Sequence, residues 1–222
     1  MFSLNAFIKS FHALALGVPS TLIVSLLGIA IGLLVGALIC AGALSLSHVL
    51  RRGAAVWISF FRGVPLMVQL LLMFYLLPVV GINVPPMVAA VLAVGLCSSA
   101  YVAEIWRGAI NALPRGQRAA ATALGLTTAQ TYRYVLLPMA FRIILPPLTS
   151  EFLSTIKNTS VAITIGLIEL TAEARAMQEF SFQVFEAFTA ATILYLLVNI
   201  VVVIVMRFVE RGVAVPGYIS GK

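Results

Sequence analysis

The sequence GQRAAATALGLTTAQTYRYVLLP, residues 116–138, decides the fold, because it is a polar stretch set between two long apolar runs. It is too polar to cross a bilayer. Its first half is rich in Ala and Leu, which favour helix, and it leads to Gly125, a residue type that readily takes the left-handed conformation that ends helices. Thr127 or Thr128 can then cap a second helix. The stretch therefore predicts two short helices, joined at a glycine and closed by Pro138.

Composition places the rest of the chain in a membrane. Hydrophobic residues make up 62% of the 222 residues and charged residues only 9%, whereas about a quarter of the residues of a soluble domain are charged. A span needs about 20 apolar residues, so the length allows about five spans and leaves no room for a separate soluble domain. We therefore expect one all-α polytopic membrane domain over residues 1–222, with its core at residues 17–210. The net charge of +7 is spread over loops beside apolar runs, which favours a lipid bilayer and not nucleic acid as the partner.

Apolar runs predict five spans, at residues 22–46, 57–80, 86–107, 141–168 and 185–206. The second is broken early by Pro65 and the fourth bends at Pro146 and Pro147, because proline removes a backbone donor from a helix. Residues 4–14 carry apolar side chains at helical spacing, which is typical of a helix in the membrane interface or of a continuation of the first span.

Small residues predict where the spans pack. In the first span, Gly28, Gly32 and Gly36 stand four apart and share one face, which allows a neighbouring backbone to approach closely. Ser98 and Ser99 in the third span are expected to form hydrogen bonds between helices.

Charged residues between the spans predict loops and an orientation. One loop contains His48, Arg51 and Arg52, and another contains Glu169, Glu173, Arg175 and Glu179. With the N-terminus outside, only Lys9 and Arg175 among the basic loop residues face outward, and ten face the cytoplasm: Arg51, Arg52, Arg107, Arg115, Arg118, Arg133, Arg142, Arg207, Arg211 and Lys222. The positive-inside rule therefore predicts a cytoplasmic C-terminus and a cytoplasmic position for the polar stretch.

The polar stretch also carries a motif, Ala120-Ala121-x-Ala123-Leu124-Gly125, which is followed by Leu137-Pro138. Three further segments accompany it: RGVPL at 62–66, YVAEIWRG at 101–108 and KNTS at 157–160. Together they resemble the signatures of the polar amino-acid permease family of ABC importers, and residues 130–151 look particularly like permeases of glutamate/aspartate importers. The family glutamate that opens the motif falls on Ala119 here.

The resemblance implies the type I ABC importer permease fold and a location in the inner membrane. It implies that residues 115–138 form a cytoplasmic coupling loop whose first helix fits a groove on an ATPase subunit. The residues expected to make this contact are Gly116, Gln117, Ala120, Ala121, Ala123, Leu124, Gly125 and Pro138. Expected partners are two ABC ATPase subunits, a second permease chain of the same or a related kind, and a periplasmic amino-acid-binding protein.

Four ionisable residues lie in or at the edges of the spans: Arg62, Glu104, Glu151 and Lys157. Each should face protein or a water-filled cavity, because an intramembrane charge costs about 2.5 to 3.5 kcal/mol. In the fourth span, polar residues at helical spacing form a stripe that contains Glu151, Ser154, Lys157 and Asn158. The stripe offers a cation, a carboxylate and neutral polar groups, which together could bind an amino acid.

We predict that Lys157, with Thr159 and Ser160, binds the substrate α-carboxylate. Glu104 or Glu151 would bind the α-ammonium group, although Glu104 could instead form a structural pair with Arg107 or Arg142. Arg62 would be a second carboxylate partner or a gate beside Pro65. Gln69 and Tyr101 are expected to line the pathway. Family members that take basic amino acids commonly carry an acid after the lysine, so Asn158 favours acidic or neutral substrates.

The motifs needed for ATP hydrolysis are missing from the sequence. It contains no G-x-x-x-x-G-K-[ST] and no Asp. We therefore expect a transport subunit that is not an enzyme and binds no cofactor or metal, with ATP and magnesium bound by the partner ATPase. An alternative is an ion-coupled secondary amino-acid transporter, which five spans without inverted repeats suit poorly. A membrane enzyme is disfavoured, since two distant His and no Cys pair offer little for metal or nucleophilic chemistry.

Overall fold

The computed structural model describes residues 3–213, and these residues form an almost entirely helical chain. Lys222, one of the predicted cytoplasmic basic residues, lies outside them. The α-helices are α1 (Leu4–Leu14), α2 (Val18–Ala43), α3 (His48–Gly63), α4 (Leu66–Leu71), α5 (Pro86–Ala112), α6 (Arg115–Ala123), α7 (Thr128–Thr131), α8 (Leu137–Asn158), α9 (Leu170–Ser181) and α10 (Val184–Val213). Short 3₁₀ or π segments link several of them, at Ala15–Gly17, Leu72–Leu76, Leu77–Val80, Tyr132–Leu136 and Thr159–Ile165.

Four helical segments of the described chain are long and apolar enough to cross a membrane: Leu4–Ala43, Pro86–Ala112, Thr128–Ile165 and Val184–Val213. A fifth crossing is formed if the bent pair His48–Gly63 and Leu66–Val80, which turns by 104°, counts as one span. This arrangement confirms the predicted all-α polytopic fold and the break in the second span.

The glycine seam of the first span is used within the chain. Gly28, Gly32 and Gly36 are buried against α5. A Cβ atom at Gly32 would lie 2.8 Å from the Ser98 Oγ, and one at Gly36 would lie 2.7 Å from a methyl group of Val102. Glycine is therefore required for α2 and α5 to pack at this distance, and the predicted seam is confirmed.

Two polar segments that were predicted as loops are helical, so those predictions were wrong. His48, Arg51 and Arg52 belong to the first turns of α3. Glu169 caps the N-terminus of α9, where its Oε1 accepts a hydrogen bond of 2.8 Å from the Ala172 N–H. Burial raises the pKa of this carboxyl, against the opposing effect of its hydrogen bonds. The helix forms because Leu170 is buried in a core cluster with residues of α1 and α10, which hydropathy alone does not reveal.

The second helix of the polar stretch is longer than predicted. It begins at Thr128 and runs through a π-helical segment directly into α8. Pro138 therefore lies in the first turn of α8 and does not close the stretch. A helix can pass a proline when the preceding turn relaxes into wider π geometry. The expected start of the fourth span near residue 141 stays a prediction, since a continuous helix does not mark where the membrane begins.

The N-terminal helix α1 is anchored to the far end of the chain. Leu14 is fully buried with Leu170, Ala174 and Ala190. The Ser3 N–H donates a hydrogen bond of 2.9 Å to Glu186 Oε1. A single 3₁₀ turn joins α1 to α2, so the two helices form one segment, Leu4–Ala43, whose first part packs against α9 and α10.

Candidate functional site

The break in the second span forms one wall of a polar cavity of about 430 Å³. This volume lies within the range of small-molecule sites. The other walls come from α5 and α8. The cavity is lined by Phe61, Arg62, Gly63, Val64, Pro65, Leu66, Cys97, Tyr101, Glu151, Ser154 and Asn158. Six of the predicted pathway residues therefore lie around one space: Arg62, Pro65, Tyr101, Glu151, Ser154 and Asn158.

Gln69 stabilises the break from a buried position outside the cavity lining. Its side chain is only 2% exposed and is not among the lining residues. The Nε2 group donates to the carbonyl of Phe61 at 3.0 Å and to that of Val64 at 2.7 Å. In an uninterrupted helix the Phe61 carbonyl would accept from residue 65, but proline has no N–H. Gln69 therefore supplies the donor that Pro65 lacks, and this role was missed because it depends on which way the side chain turns.

A charged cluster lies on α5 next to the cavity. Arg107 forms two hydrogen bonds to the Glu104 carboxylate, each 2.7 Å long. Arg62 lies farther away, with its Nη1 3.8 Å from Glu104 Oε2 and its guanidinium 5.2 Å above the centre of the Tyr101 ring. The structure thus contains the Glu104–Arg107 pair that was the structural alternative for Glu104. Two cations share one carboxylate, which leaves a net positive charge beside the cavity.

Glu151 is the carboxylate that lines the cavity itself. Its Oε1 accepts a hydrogen bond of 2.8 Å from Ser98 Oγ and a longer one of 3.4 Å from Thr155 Oγ1. Within residues 3–213, its carboxylate forms no ion pair with Lys, Arg or His. Ser98 was predicted to bond between helices and does so, from α5 to α8. Ser99 also bonds between helices, since its hydroxyl accepts from the Trp57 indole at 3.0 Å.

The three residues assigned to the substrate carboxylate do not line the cavity. Lys157 is exposed. Thr159 is fully buried and donates to the carbonyl of Ile156 at 2.8 Å, and Ser160 donates to that of Lys157 at 2.8 Å. The chain tightens into a 3₁₀ segment at Thr159, so the helical spacing that grouped these residues ends there. Among the lining residues, Cys97 was missed, although it lies one turn before Tyr101 on the same face of α5.

The predicted coupling loop, residues 115–138, has the caps that the sequence predicted. Gly125 has a φ of +76° and ends α6, and an added Cβ would meet no atom within 4 Å. Thr127 forms a capping box with Gln130. Ala121 is buried, and the other residues expected to contact an ATPase are exposed: Gly116, Gln117, Ala120, Ala123, Leu124, Gly125 and Pro138.

The described residues contain no group of three or more His, Cys, Asp or Glu side chains that could bind a metal ion together. The cavity instead offers a guanidinium, a carboxylate, a hydroxyl and an amide. Such a set can bind a small zwitterion through charge-assisted hydrogen bonds.

Comparison with known proteins identifies the family. Residues 28–215 match the family described as binding-protein-dependent transport system inner membrane component. The chain is 41% identical over 180 residues to the glutamate/aspartate import permease protein GltJ of Escherichia coli (strain K12), which covers 75% of this chain and 73% of that protein. It is 36% identical over 197 residues to the glutamine transport system permease protein GlnP of the same strain, which covers 88% and 90% of the two chains.

A solved structure supports the same assignment. The crystal structure of an amino acid ABC transporter with histidines superposes with a TM-score of 0.88 at 34% identity, over 95% of this chain and 99% of that one. An inward-facing structure of the MetNI methionine ABC transporter, at 18% identity over 96% of this chain and 98% of that one, has a TM-score of 0.72 and shares the fold. The type I importer fold is thereby confirmed. The chain belongs to the binding-protein-dependent transport system inner membrane components, as a permease of the polar amino-acid ABC importer type.

Proposed function

We propose that this chain is the permease subunit of an ATP-driven importer that carries glutamate or aspartate across the inner membrane. It works with two ATPase subunits, a second permease chain of the same or a related kind, and a periplasmic amino-acid-binding protein. ATP and magnesium are bound by the ATPase, and this chain performs no catalysis. The N-terminus lies outside and the C-terminus in the cytoplasm, as the distribution of basic residues requires.

The observation that carries the proposal is the polar cavity at the break. Glu151 has no cationic partner within the described chain and can accept a substrate ammonium group. Arg62 is held only loosely by Glu104, at 3.8 Å, and can bind a carboxylate. Ser154 and Asn158 offer neutral polar contacts. The single net positive charge of the Arg62, Glu104 and Arg107 cluster matches the substrate α-carboxylate, and similarity to a glutamate/aspartate permease, at 41% identity, favours glutamate or aspartate as the substrate.

The role of Lys157, Thr159 and Ser160 in carboxylate binding stays a prediction, because these residues do not line the cavity in this conformation. Similarity to a glutamine permease, at 36% identity, makes glutamine the competing substrate. Glutamine would use the same groups for its α-ammonium and α-carboxylate, so the preference for glutamate or aspartate rests on the higher identity to a permease of that type, 41% against 36%.

The coupling loop is the proposed contact with the ATPase. Leu124 is 81% exposed and stands directly before the left-handed Gly125. Closure of the two ATPase subunits would push on α6, and the continuous helix from α7 to α8 would carry the motion to the cavity. The loop is on the side with most of the basic residues, where an ATPase would bind.

Uptake by proteoliposomes that contain the permease, its ATPase and its binding protein tests the proposal. Labelled glutamate and aspartate are expected to accumulate only with ATP on the ATPase side, and to be preferred over glutamine. Glu151→Gln should reduce uptake roughly tenfold, the loss of one charge-assisted contact, while basal ATP hydrolysis persists. Glu173→Gln in α9 is the matched control. Accumulation without any ATPase would instead support the ion-coupled alternative.

Gly125→Trp tests the coupling contact in the same vesicles. It should uncouple ATP hydrolysis from uptake without preventing insertion. Gly81→Trp is a matched control, because Gly81 also has a positive φ, of +85°, and open space around it. Normal uptake by the Gly125 variant would show that this loop is not the coupling element.

A further inference from the structure

A second cavity of about 730 Å³ lies on the other face of α5. The polar cavity uses Cys97 and Tyr101 of this helix, whereas the second one uses Trp106 and Ile110. At 100° per residue these two pairs point in opposite directions. The second cavity lies where α2 ends, α5 ends and α8 begins, so it opens at the end of the bundle from which the coupling loop emerges.

The walls of this cavity are apolar except at one point. Its lining includes Ala41, Leu44, Trp106, Pro138 and Phe141. Arg133 is the one charged lining residue in the described chain. Arg133 is exposed, and within residues 3–213 it forms no ion pair. A second guanidinium, that of Arg118, lies 5.7 Å from the ring centre of Tyr132, which also lines the cavity.

We propose that this cavity binds an acyl chain of an anionic phospholipid, with its phosphate against Arg133. An apolar cavity at the end of a membrane-spanning bundle is filled from the lipid around it, since water gains nothing from apolar walls. A cation at the rim selects a headgroup of opposite charge, and basic pockets between transmembrane helices bind anionic lipids in this way. Its volume is within the range of sites for small molecules.

The bound lipid touches the coupling loop as well as the bundle. Tyr132 and Arg133 belong to the π-helical segment that joins α7 to α8, and Ala41 belongs to α2. A chain seated between them therefore braces the base of the loop against the first span. This site does not depend on which amino acid the permease carries.

Tryptophan fluorescence tests the proposal directly, because the sequence contains only Trp57 and Trp106. In the purified full chain with Trp57→Phe, brominated phosphatidylglycerol is expected to quench Trp106 at a roughly fivefold lower concentration than brominated phosphatidylcholine, the selectivity of one basic residue. With Trp106→Phe, the remaining Trp57 should show no such preference. Equal quenching of Trp106 by both lipids would overturn the proposal.

Two charge variants locate the headgroup. In the Trp57→Phe background, Arg133→Gln should abolish the preference for phosphatidylglycerol, whereas Arg52→Gln, which removes an exposed arginine of α3, should retain it. If both variants lower the preference for phosphatidylglycerol equally, general surface charge explains that preference, and the proposed site is overturned. If neither brominated lipid quenches Trp106, protein such as a second permease chain fills the cavity. That result would also overturn the proposal.

Thermal unfolding gives an independent measurement. A ligand that binds only the folded state raises the melting temperature, so phosphatidylglycerol should stabilise the unmodified protein in detergent. Ala41→Phe, which fills the cavity, should remove that lipid effect. A lipid effect that survives the filled cavity contradicts the proposal.

Discussion

The second and fourth membrane spans respond to their prolines in opposite ways. At Pro65 the second span turns by 104°, and the turn forms a wall of the polar cavity. At Pro146 and Pro147 the helix α8 continues from Leu137 to Asn158. Proline content therefore does not decide whether a span breaks.

The surroundings of the two proline sites explain the difference. At the first site, Val64 leaves the helical conformation, with φ −94° and ψ 132°, and Gln69 bonds to the carbonyls of Phe61 and Val64. In α8 the prolines take the N–H donors from the carbonyls of Arg142 and Ile143, but the chain stays helical. Leu145 and Leu148 are buried on either side of the proline pair, so packing supports the continuous helix. The turn at Pro65 thus has a replacement donor as well as a proline.

Gln69→Leu is expected to have the largest effect on this contrast. It leaves the Val64 carbonyl without the Gln69 donor and the Phe61 carbonyl with only the weak Cys97 thiol donor at 3.7 Å, and each unsatisfied buried group costs about 1 to 3 kcal/mol. We expect ATP-driven uptake to fall at least roughly tenfold, measured in proteoliposomes. Gln69→Met should do the same, because its side chain is similar in size and has no N–H. Gln178→Leu in α9 is the control, and normal uptake by the Met variant would refute the role of Gln69 as a donor.

Replacing the prolines by alanine should have a smaller effect on uptake, and the effect should differ between the two sites. Pro65→Ala supplies an N–H that can compete with Gln69 for the Phe61 carbonyl, so the second span should straighten and uptake should fall several-fold. Pro147→Ala supplies an N–H to a helix that is already continuous, so uptake should change little and the melting temperature should hold or rise. Parallel transport assays and thermal unfolding measure both. Equal losses of uptake would remove the contrast between the two sites.

Thr149→Ala is expected to have the smallest effect. It removes hydrogen bonds to Leu145 and, at 3.3 Å, to Glu210 of α10. Such bonds contribute about 0.6 kcal/mol in membrane proteins, so the melting temperature should fall slightly and uptake should stay within roughly twofold. Thr192→Ala is a matched control, because Thr192 also donates to a carbonyl four residues back, that of Phe188. A large loss for Thr149 alone would mean that its contact with α10 keeps α8 continuous at the prolines.

Local features of the chain were the most predictable ones. The left-handed Gly125, the Thr127 cap and the Gly28 to Gly36 seam each follow from a few neighbouring residues. The polar segments at 48–52 and 169–179 were misassigned as loops, because a polar helix and a polar loop have the same hydropathy. Contact of α9 with α1 and α10, through Leu170 and Leu14, decides between them, and that contact joins distant parts of the chain.

The polar cavity was only partly predictable for the same reason. The free-energy cost of a charge inside the membrane correctly identified Arg62 and Glu151 as residues that need a polar environment. Both line one cavity. Their function in transport stays a prediction. Gln69 and Lys157 are also polar residues within predicted spans, but their side chains do not line the cavity. Residue type alone does not fix the direction of a side chain near a break or a 3₁₀ turn.

The sequence by itself determined that the chain crosses a membrane about five times and that a polar loop interrupts it. These conclusions rest on apolar run length, charge distribution and helix caps, which are local properties. Only the tertiary structure decided that the second span breaks at Pro65 whereas α8 stays continuous past Pro146 and Pro147, and which polar residues share the cavity. Both outcomes depend on hydrogen bonds and packing between residues far apart in the chain, whose free energies exist only once the helices have assembled.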